Sequence, residues 1–349
     1  MKLGVRRRTL RFARALQTSY GTLREREVLL VSLTDPDGLT GYGEAAPLEP
    51  YDGVSLARVE RALERYRPLV EASGAMNGAE LVDACRRAED LPEAFAAIDL
   101  ALWDRAGRRS ERSVASLVAE THAESVPVNA ALSATDRAGA ASQAVQALGE
   151  GFDCLKLKVG IGDDAGRLAA VRGAAGPHVA LRVDANGAWS VEQAVRNIEA
   201  LSPVGLELVE EPVHGLAAVR EVRERVAARV AIDETAAEHG ALTAGVADAV
   251  CLKIARCGGI SGLLAAATLV RASGAEVYVA SSFDGPLGVA AGLQAAAALA
   301  SRGPLAACGL ATLGMFESPA DPLAPRSGRI ALPGAAGLGV EPLDYGGWT

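Results

Sequence analysis

The sequence is poor in the residues that usually build a zinc or disulfide framework. Only four histidines, His122, His178, His214 and His239, stand in 349 residues. They fall in predicted loops or at helix edges and match no metal-binding spacing, so surface positions are expected for them. The five cysteines, Cys85, Cys154, Cys251, Cys257 and Cys308, are scattered, odd in number and free of any C-x-x-C pair. That argues against a disulfide framework or zinc site and leaves them as small buried apolar residues. No apolar run reaches the roughly 20 residues that a bilayer demands. Even the alanine-rich stretch from Val289 to Ala300 is too short and carries Gly292 and Gln294. The basic opening "MKLGVRRRTLRFARAL" has neither the apolar centre nor the small-residue cleavage site of an export signal, and "TLRFARAL" alternates like a strand, so the cytoplasm is the expected compartment. With a net charge of −8 and no basic cluster interleaved with aromatics, nucleic acid is not an expected partner, and nothing points to a membrane.

What the chain does have is apolar bulk: half of its residues are hydrophobic and 22% are charged, enough for a sizeable core in one large domain plus a smaller one. The first part, 1–124, reads as α+β. "REVLLVSLTDPDG" is a strand ending in an Asp-Pro-Asp-Gly turn, and "GLTGYGEAAPL" returns as its hairpin partner. "SLARVERALERYRPLVEA" then spaces Leu56, Val59, Leu63, Tyr66 and Leu69 as a helix face, with Ser55 placed to cap it. "LPEAFAAIDLALWDRAGR" has a proline just inside its start and a glycine near its end, as a third helical segment should.

From 125 to 312 the rhythm changes to short apolar strands alternating with helices. The strand candidates are "VPVNAAL", "CLKLKV", "VALRVDA", "GLELVEE", "RVAIDE", "AVCLKIA", "AEVYVAS" and "PLAACGL". They recur about every twenty to thirty residues, the length of a strand, a crossover helix and two loops. Eight such units point to a TIM-like α/β barrel rather than an open sheet. The Pro/Gly-rich tail, 313–349, holds only the strand-like "RIALPG" and is expected to return to the first region.

Charge interrupts these apolar strands mainly at their C-terminal ends, which in a barrel converge on one mouth. Lys156 and Lys158 share a face of the second strand, because side chains two apart project to the same side. Asp184 and Asn186 end the third, Glu210 and Glu211 the fourth, Asp233 and Glu234 the fifth, and Lys253 stands on the sixth. Three carboxylates from successive strands repel one another at low dielectric unless a cation balances them. With oxygen ligands and no histidine or cysteine in the set, that cation is expected to be hard, Mg2+ first and Mn2+ second. A lysine beside a metal and a second ammonium has its pKa lowered and suits a base. The glycine-rich "VGIGDDAG" lacks the spacing of a dinucleotide loop and is expected to be an ordinary strand-to-helix connection.

An ordered set of segments, "GYGEAAPL", "AIDLALWDRAG", "GFDCLKLKVG", "RVDANGAW", "VEEP", "AIDET" and "LKIARCGGI", resembles the enolase superfamily, in the subgroup that holds muconate cycloisomerase, dipeptide epimerase and o-succinylbenzoate synthase. The resemblance spans nearly the whole chain. It implies a (β/α)7β barrel under an α+β capping domain built from the N-terminal region and the C-terminal tail. It implies metal ligands Asp184, Glu210 and Asp233, an acid/base pair Lys158 and Lys253, and outer residues Lys156, Asn186, Glu211 and Glu234. Lys156 is expected to depress the pKa of Lys158. By the same resemblance, loops around Ser19 and Tyr51 cover a small-molecule carboxylate, with Ser281, Ser282 and Gly309 on the barrel side. "VASSFDGPLG" carries no histidine, unlike the mandelate-racemase subgroup, and "AACGLATLGMFESP" has no D-x-D pair, unlike dipeptide epimerases. "VPVNA", "SSF" and "CGL" followed by a threonine are similar to o-succinylbenzoate synthase, the magnesium-dependent lyase of menaquinone biosynthesis, which implies proton abstraction α to a carboxylate, an enediolate and loss of water. A dipeptide epimerase, an N-acylamino acid racemase or a cycloisomerase is the alternative, since "LKIARCGGI" is equally similar to theirs. Homo-oligomerisation stays open.

Overall fold

The computed structural model describes residues 1–18, 21–317 and 321–341. The chain opens with an antiparallel three-stranded sheet ordered β1 (Lys2–Thr18), β2 (Gly21–Thr34), β3 (Thr40–Ala45). The Asp-Pro-Asp-Gly turn between the last two closes through Gly38 N to Asp35 O, with Gly38 in the left-handed region at φ 89°, as the hairpin chemistry requires. A short helix α1 (Glu49–Asp52) leads to α2 (Leu56–Glu71), α3 (Gly78–Ala88) and α4 (Pro92–Ser110). Ser55 caps α2 by accepting from Arg58 N, and Asn77 and Glu80 form a reciprocal capping box on α3, satisfying amides that the first turn leaves unpaired. The buried stripe of α2, Val59, Leu63, Tyr66 and Val70, packs with Leu29, Val31 and Leu33 of β2 in a separate small core.

The larger core belongs to the barrel. After α5 (Val114–Val118) and β4 (Ser125–Pro127), the repeating units are β5 (Ala130–Leu132), α6 (Arg137–Gly149), β6 (Cys154–Lys158), α7 (Asp164–Ala175), β7 (Ala180–Asp184), α8 (Val191–Leu201), β8 (Leu206–Glu210), α9 (Leu216–Arg225), β9 (Val230–Ile232), β10 (Ala249–Leu252), α10 (Ile260–Ala272), β11 (Glu276–Val279) and α11 (Pro286–Ala300). Strands β5 to β11 form one parallel sheet in sequence order, so each connection crosses over from the end of one strand to the start of the next.

Three details depart from the sequence reading. "VPVNAAL" is split: Ser125–Pro127 pairs antiparallel with β12 (Arg329–Ala331), and only Ala130–Leu132 joins the barrel. "PLAACGL" is no full strand but two isolated bridges, Val128 with Cys308 and Ala280 with Gly309. Those two residues nonetheless close the ring, since Cys308 N donates to Pro127 O and Gly309 N to Val279 O. Between β9 and β10 the crossover is two 3-10 turns, Glu234–Ala237 and Ala241–Thr243, rather than an α-helix. That segment runs through Gly240 and Gly245, both at positive φ, where a helix cannot continue.

The two cores are joined by α4 and the tail. Asp99 of α4 accepts from Ser261 N (3.1 Å) and Ser261 Oγ (2.6 Å) at the start of α10, and Trp103 Nε1 donates to that same hydroxyl. Asp104 accepts from Tyr42 N and from Leu338 N in the tail. Within "AIDLALWDRAG", therefore, the polar residues tie strand, helix and tail together. The tail meets both domains: Phe316 stacks on Phe12 of β1, while β12 pairs with β4.

Candidate active site

Register alone brings the chemistry to one level of the barrel: Lys158 pairs with Asp184, and Asp184 with Glu210, as Cα partners across β6, β7 and β8. Asp233 follows the end of β9 and Lys253 the end of β10. Lys156 Nζ lies 2.7 Å from Glu210 Oε1 and 3.0 Å from Asp184 Oδ2. Lys253 Nζ lies 2.6 Å from Asp233 Oδ2. Lys156 thus has partners beyond Lys158, because its ammonium sits directly between two carboxylates. Burial works against its charge, but Asp184 and Glu210 outweigh that and hold the pKa up. Lys158 is lowered mainly by burial, with Lys156 adding to the shift and Asp184 opposing it. Among the described residues its ammonium makes no hydrogen bond or ion pair.

The neighbouring polar residues hold these groups in place. The fully buried Glu211 accepts from Asp233 N (2.7 Å) and Thr235 N (3.0 Å), and also contacts His214 Nδ1 (2.9 Å). Asn186 N donates to Asp184 Oδ1, and its Nδ2 donates to Glu234 Oε1, both at 3.0 Å. Asn186 and Glu211 sit at φ 44° and 40°, a region that non-glycine residues rarely adopt and that clusters at functional sites. His214, read from sequence as a surface residue, is half exposed and still reaches Glu211. Cys251 is buried and free, as expected, and its sulfur lies within 4.8 Å of ligand atoms of Glu210 and Asp233. It faces the same side of its strand as Lys253, two residues on.

Three features of this cluster fit a hard dication. Glu210 is fully buried, and its carboxyl is pushed up to about 7 by burial, with Asp184 and Asp233 adding to the shift against Lys156; the pocket therefore stabilises added positive charge. Glu234 is likewise pushed up to about 7, by burial and then by Asp233 and Asp184. Asn186 Oδ1 and Glu234 Oε2 are buried without a hydrogen-bond partner, so oxygen acceptors remain unused beside the carboxylates.

The capping domain supplies the roof. Tyr51 of α1 donates its hydroxyl hydrogen to Asp233 Oδ1 (2.7 Å) and accepts from Lys253 Nζ (2.8 Å) and Arg256. Its ring also lies over Lys253, 4.1 Å from ammonium to centroid. The cavity beneath is lined by Lys156, Lys158 and Lys253, by Asp184, Glu210, Asp233 and Asn186, and by Ser281, Ser282 and Gly309, so these barrel-side positions share one space with the charged cluster. Ser19 lies outside the described residues. Three contributors were missed from the sequence. Tyr278 donates to Glu210 Oε2 (2.8 Å), Arg256 donates to Glu234 O (2.9 Å), and Asn129 lines the cavity. Tyr278 and Asn129 look like ordinary strand residues until the barrel curls. Arg256 did carry a signal, a charge three residues after Lys253 and directly before the Cys-Gly-Gly turn.

Residues 139–345 match the family model described as "Enolase C-terminal domain-like", and residues 2–119 match that of the mandelate racemase / muconate lactonizing enzyme N-terminal domain. Muconate cycloisomerase 1 of Rhodococcus opacus is 31% identical over 340 residues, 90% of this chain and 88% of its own. The chain belongs to the enolase superfamily. Other relatives in the superfamily include a hydrophobic dipeptide epimerase of Enterococcus faecalis, 29% identical over 79% of this chain and 80% of its own. An o-succinylbenzoate synthase of Mycobacterium bovis is 40% identical over a shorter span, 59% of this chain and 64% of its own. Two solved structures overlay closely. The Enterococcus dipeptide epimerase, crystallised with Mg and the dipeptide L-Leu-L-Tyr, gives a TM-score of 0.88 at 26% identity over 97% of this chain and 98% of that one. The N-succinyl Arg/Lys racemase of Bacillus cereus gives 0.90 at 25% identity over 98% and 95%. Superfamily membership makes the protein an enzyme, and it gives the converging lysines and carboxylates their context.

Proposed function

We propose that the protein is a magnesium-dependent dehydratase of the o-succinylbenzoate synthase type, with Asp184, Glu210 and Asp233 as metal ligands and Lys158 as the base. The asymmetry of the two lysines carries this reading. Lys253 is immobilised by Asp233, Tyr51 and the ring above it, whereas Lys158 is half-buried and untethered among the described residues. One free base and one fixed ammonium suit an elimination in which a single lysine moves the proton. A racemase needs both faces served alike.

A proton next to a carboxylate is weakly acidic, because its removal places a second negative charge on the same group. A divalent ion held by the three carboxylates would supply Lewis-acid stabilisation of that charge in a dry site. Lys158 takes the α-proton and the electron pair passes into the substrate's carboxylate as an enediolate. Collapse of that pair forms the carbon–carbon double bond and breaks the bond to the β-hydroxyl. Lys158 returns its proton to the departing hydroxide, which leaves as water. Lys253 stabilises the enediolate as a fixed cation throughout.

The cavity lining supports the same choice. Among its described residues, Asp184, Glu210 and Asp233 are the acidic ones, which leaves no carboxylate to pair with the ammonium of a dipeptide. The lining also offers the neutral donors Ser133, Thr135 and Thr312 and the apolar Leu132, Ile161, Phe283 and Met315, an environment for an alicyclic ring with a hydrogen-bonded acid group. The overlay with the dipeptide epimerase and the N-succinyl Arg/Lys racemase keeps an epimerase or racemase as the second reading, with a muconate-type cycloisomerase behind it. Incubation with the o-succinylbenzoate precursor, followed by product absorbance, should show Mg2+-dependent turnover. No turnover, together with loss of optical rotation from an N-acylamino acid or a dipeptide, would reverse the order.

A further inference from the structure

The phenol of Tyr51 belongs to one domain and all its polar partners belong to the other. It rides on α1, a single turn whose entry is fixed by Asp52, which accepts from Leu48 N (2.7 Å) and Val54 N (2.8 Å). Gly53 closes that turn in the left-handed region at φ 72°. The segment just before it is pinned by Arg26, buried between the domains. Its guanidinium donates to Ala46 O (2.9 Å) and Pro47 O (2.8 Å), and more weakly to Phe283 O of the barrel (3.4 Å). The tyrosine is thus delivered on a braced support, and its hydroxyl ends in a junction of Asp233, Lys253 and Arg256.

We infer that Tyr51 is a positioning residue that couples docking of the capping domain to assembly of the metal end of the active site. A single hydroxyl fixes one oxygen of a carboxylate, Asp233, and one ammonium, Lys253. It donates to the first and accepts from the second, so neither contact can be kept when the cap moves away. The ring adds an independent restraint, since an ammonium 4.1 Å from a ring centroid is held by the ring's negative face. With Tyr51 docked, Asp233 presents one oxygen to the phenol and the other to Lys253, which sets the rotation of the carboxylate. With the cap displaced, both groups lose their orientation together. A carboxylate oriented by an outer partner binds metal more tightly than a free one. The inference rests on the proposed role of Asp233 as a metal ligand, and it holds for any carboxylate substrate of this site, dehydratase or epimerase.

The test is calorimetric titration of Mg2+ into the full-length protein without substrate, comparing wild type, Tyr51→Phe and Tyr51→Leu. Tyr66→Phe serves as the control, because Tyr66 is a buried cap tyrosine whose hydroxyl donates within the cap, to Glu89 O (2.6 Å). Tyr51→Phe should weaken Mg2+ binding about tenfold or more, and Tyr66→Phe should leave it at the wild-type value whatever it does to the melting temperature. In turnover with the preferred carboxylate, Tyr51→Phe should lower kcat, and Tyr51→Leu, which also removes the ring from Lys253, should lower it further. Wild-type Mg2+ affinity in Tyr51→Phe overturns the inference, as does an equal loss in Tyr66→Phe. If the wild type binds Mg2+ and Tyr51→Phe binds it weakly while the o-succinylbenzoate precursor is not turned over, the positioning role stands and the dehydratase reading falls.

Discussion

Two lysines in the same cavity sit in opposite electrostatic situations, and the difference is set by what each touches. Lys253 is hydrogen-bonded to an acidic partner that favours its charged form, while Lys158 is lowered chiefly by burial. Loss of the second should therefore remove chemistry rather than binding. Lys158→Met is expected to reduce kcat by about 10² to 10⁴-fold, the usual share of a general base, while Mg2+ affinity from calorimetry stays near wild type. Loss of metal binding instead would place Lys158 among the structural groups. The strained residues speak at the same scale. Asn186 and Glu211 hold positive φ because each uses its polar atoms to fix a neighbouring carboxylate-bearing strand end, so local strain is offset by order at the site.

At the level of elements, close contacts decide what the sequence tolerates. Gly41 and Gly43 lie two apart on β3 and face α4. A Cβ added at Gly43 would come 2.1 Å from Ala97 O, and at Gly41 2.2 Å from Ala101 O, far inside contact distance. Gly43→Ala should cost about 1–3 kcal/mol as an overpacked contact, read as a lower urea midpoint with an unchanged slope. The contact between α4 and α10 makes a pH prediction. Burial lifts the Asp99 carboxyl to about 6 from its ordinary 3.8, against the hydrogen bonds of Ser261. Between those two values the folded chain holds a proton that the unfolded chain has lost. Stability should therefore fall as pH rises from about 4 to 6 and remain lower above that. Asp99→Asn should flatten this part of the urea midpoint against pH; an unchanged profile would mean that the carboxyl titrates normally.

For the whole molecule, the site lies where two separately cored domains meet, and a bound ion favours the arrangement that binds it. Saturating Mg2+ should raise the melting temperature of the EDTA-treated protein, since ligand at about 100 times its dissociation constant contributes roughly 2.7 kcal/mol. Activity should vanish with EDTA and return with Mg2+ or Mn2+. A melting curve indifferent to both ions would deny the three carboxylates their role. Phe12, Phe283 and Phe316 join cap, barrel and tail in one aromatic cluster, so the tail contributes to the same docked state. No helix among the described residues is long and apolar enough to cross a membrane, and the alanine-rich stretch is instead the buried α11 between the domains.

The period-2 lysines, the acidic strand ends and the repeating strand–helix rhythm were legible in the sequence because local patterning and strand register fix which face and which end a side chain occupies. The hairpin turn and the caps of α2 were legible for the same local reason. The partners of those side chains were not, because partnership across a barrel depends on how far the sheet curls and how closely the strands converge. Lys156 reads as a neighbour of Lys158 until Asp184 and Glu210 close around it, Cys251 reads as packing until its strand faces the carboxylates, and "PLAACGL" reads as a strand although two bridges suffice to shut the ring. Tyr51 is the clearest case. Nothing near it in the chain marks a contact with Asp233 or Lys253, 182 and 202 residues away, and only the docking of one domain on the other brings its hydroxyl to them.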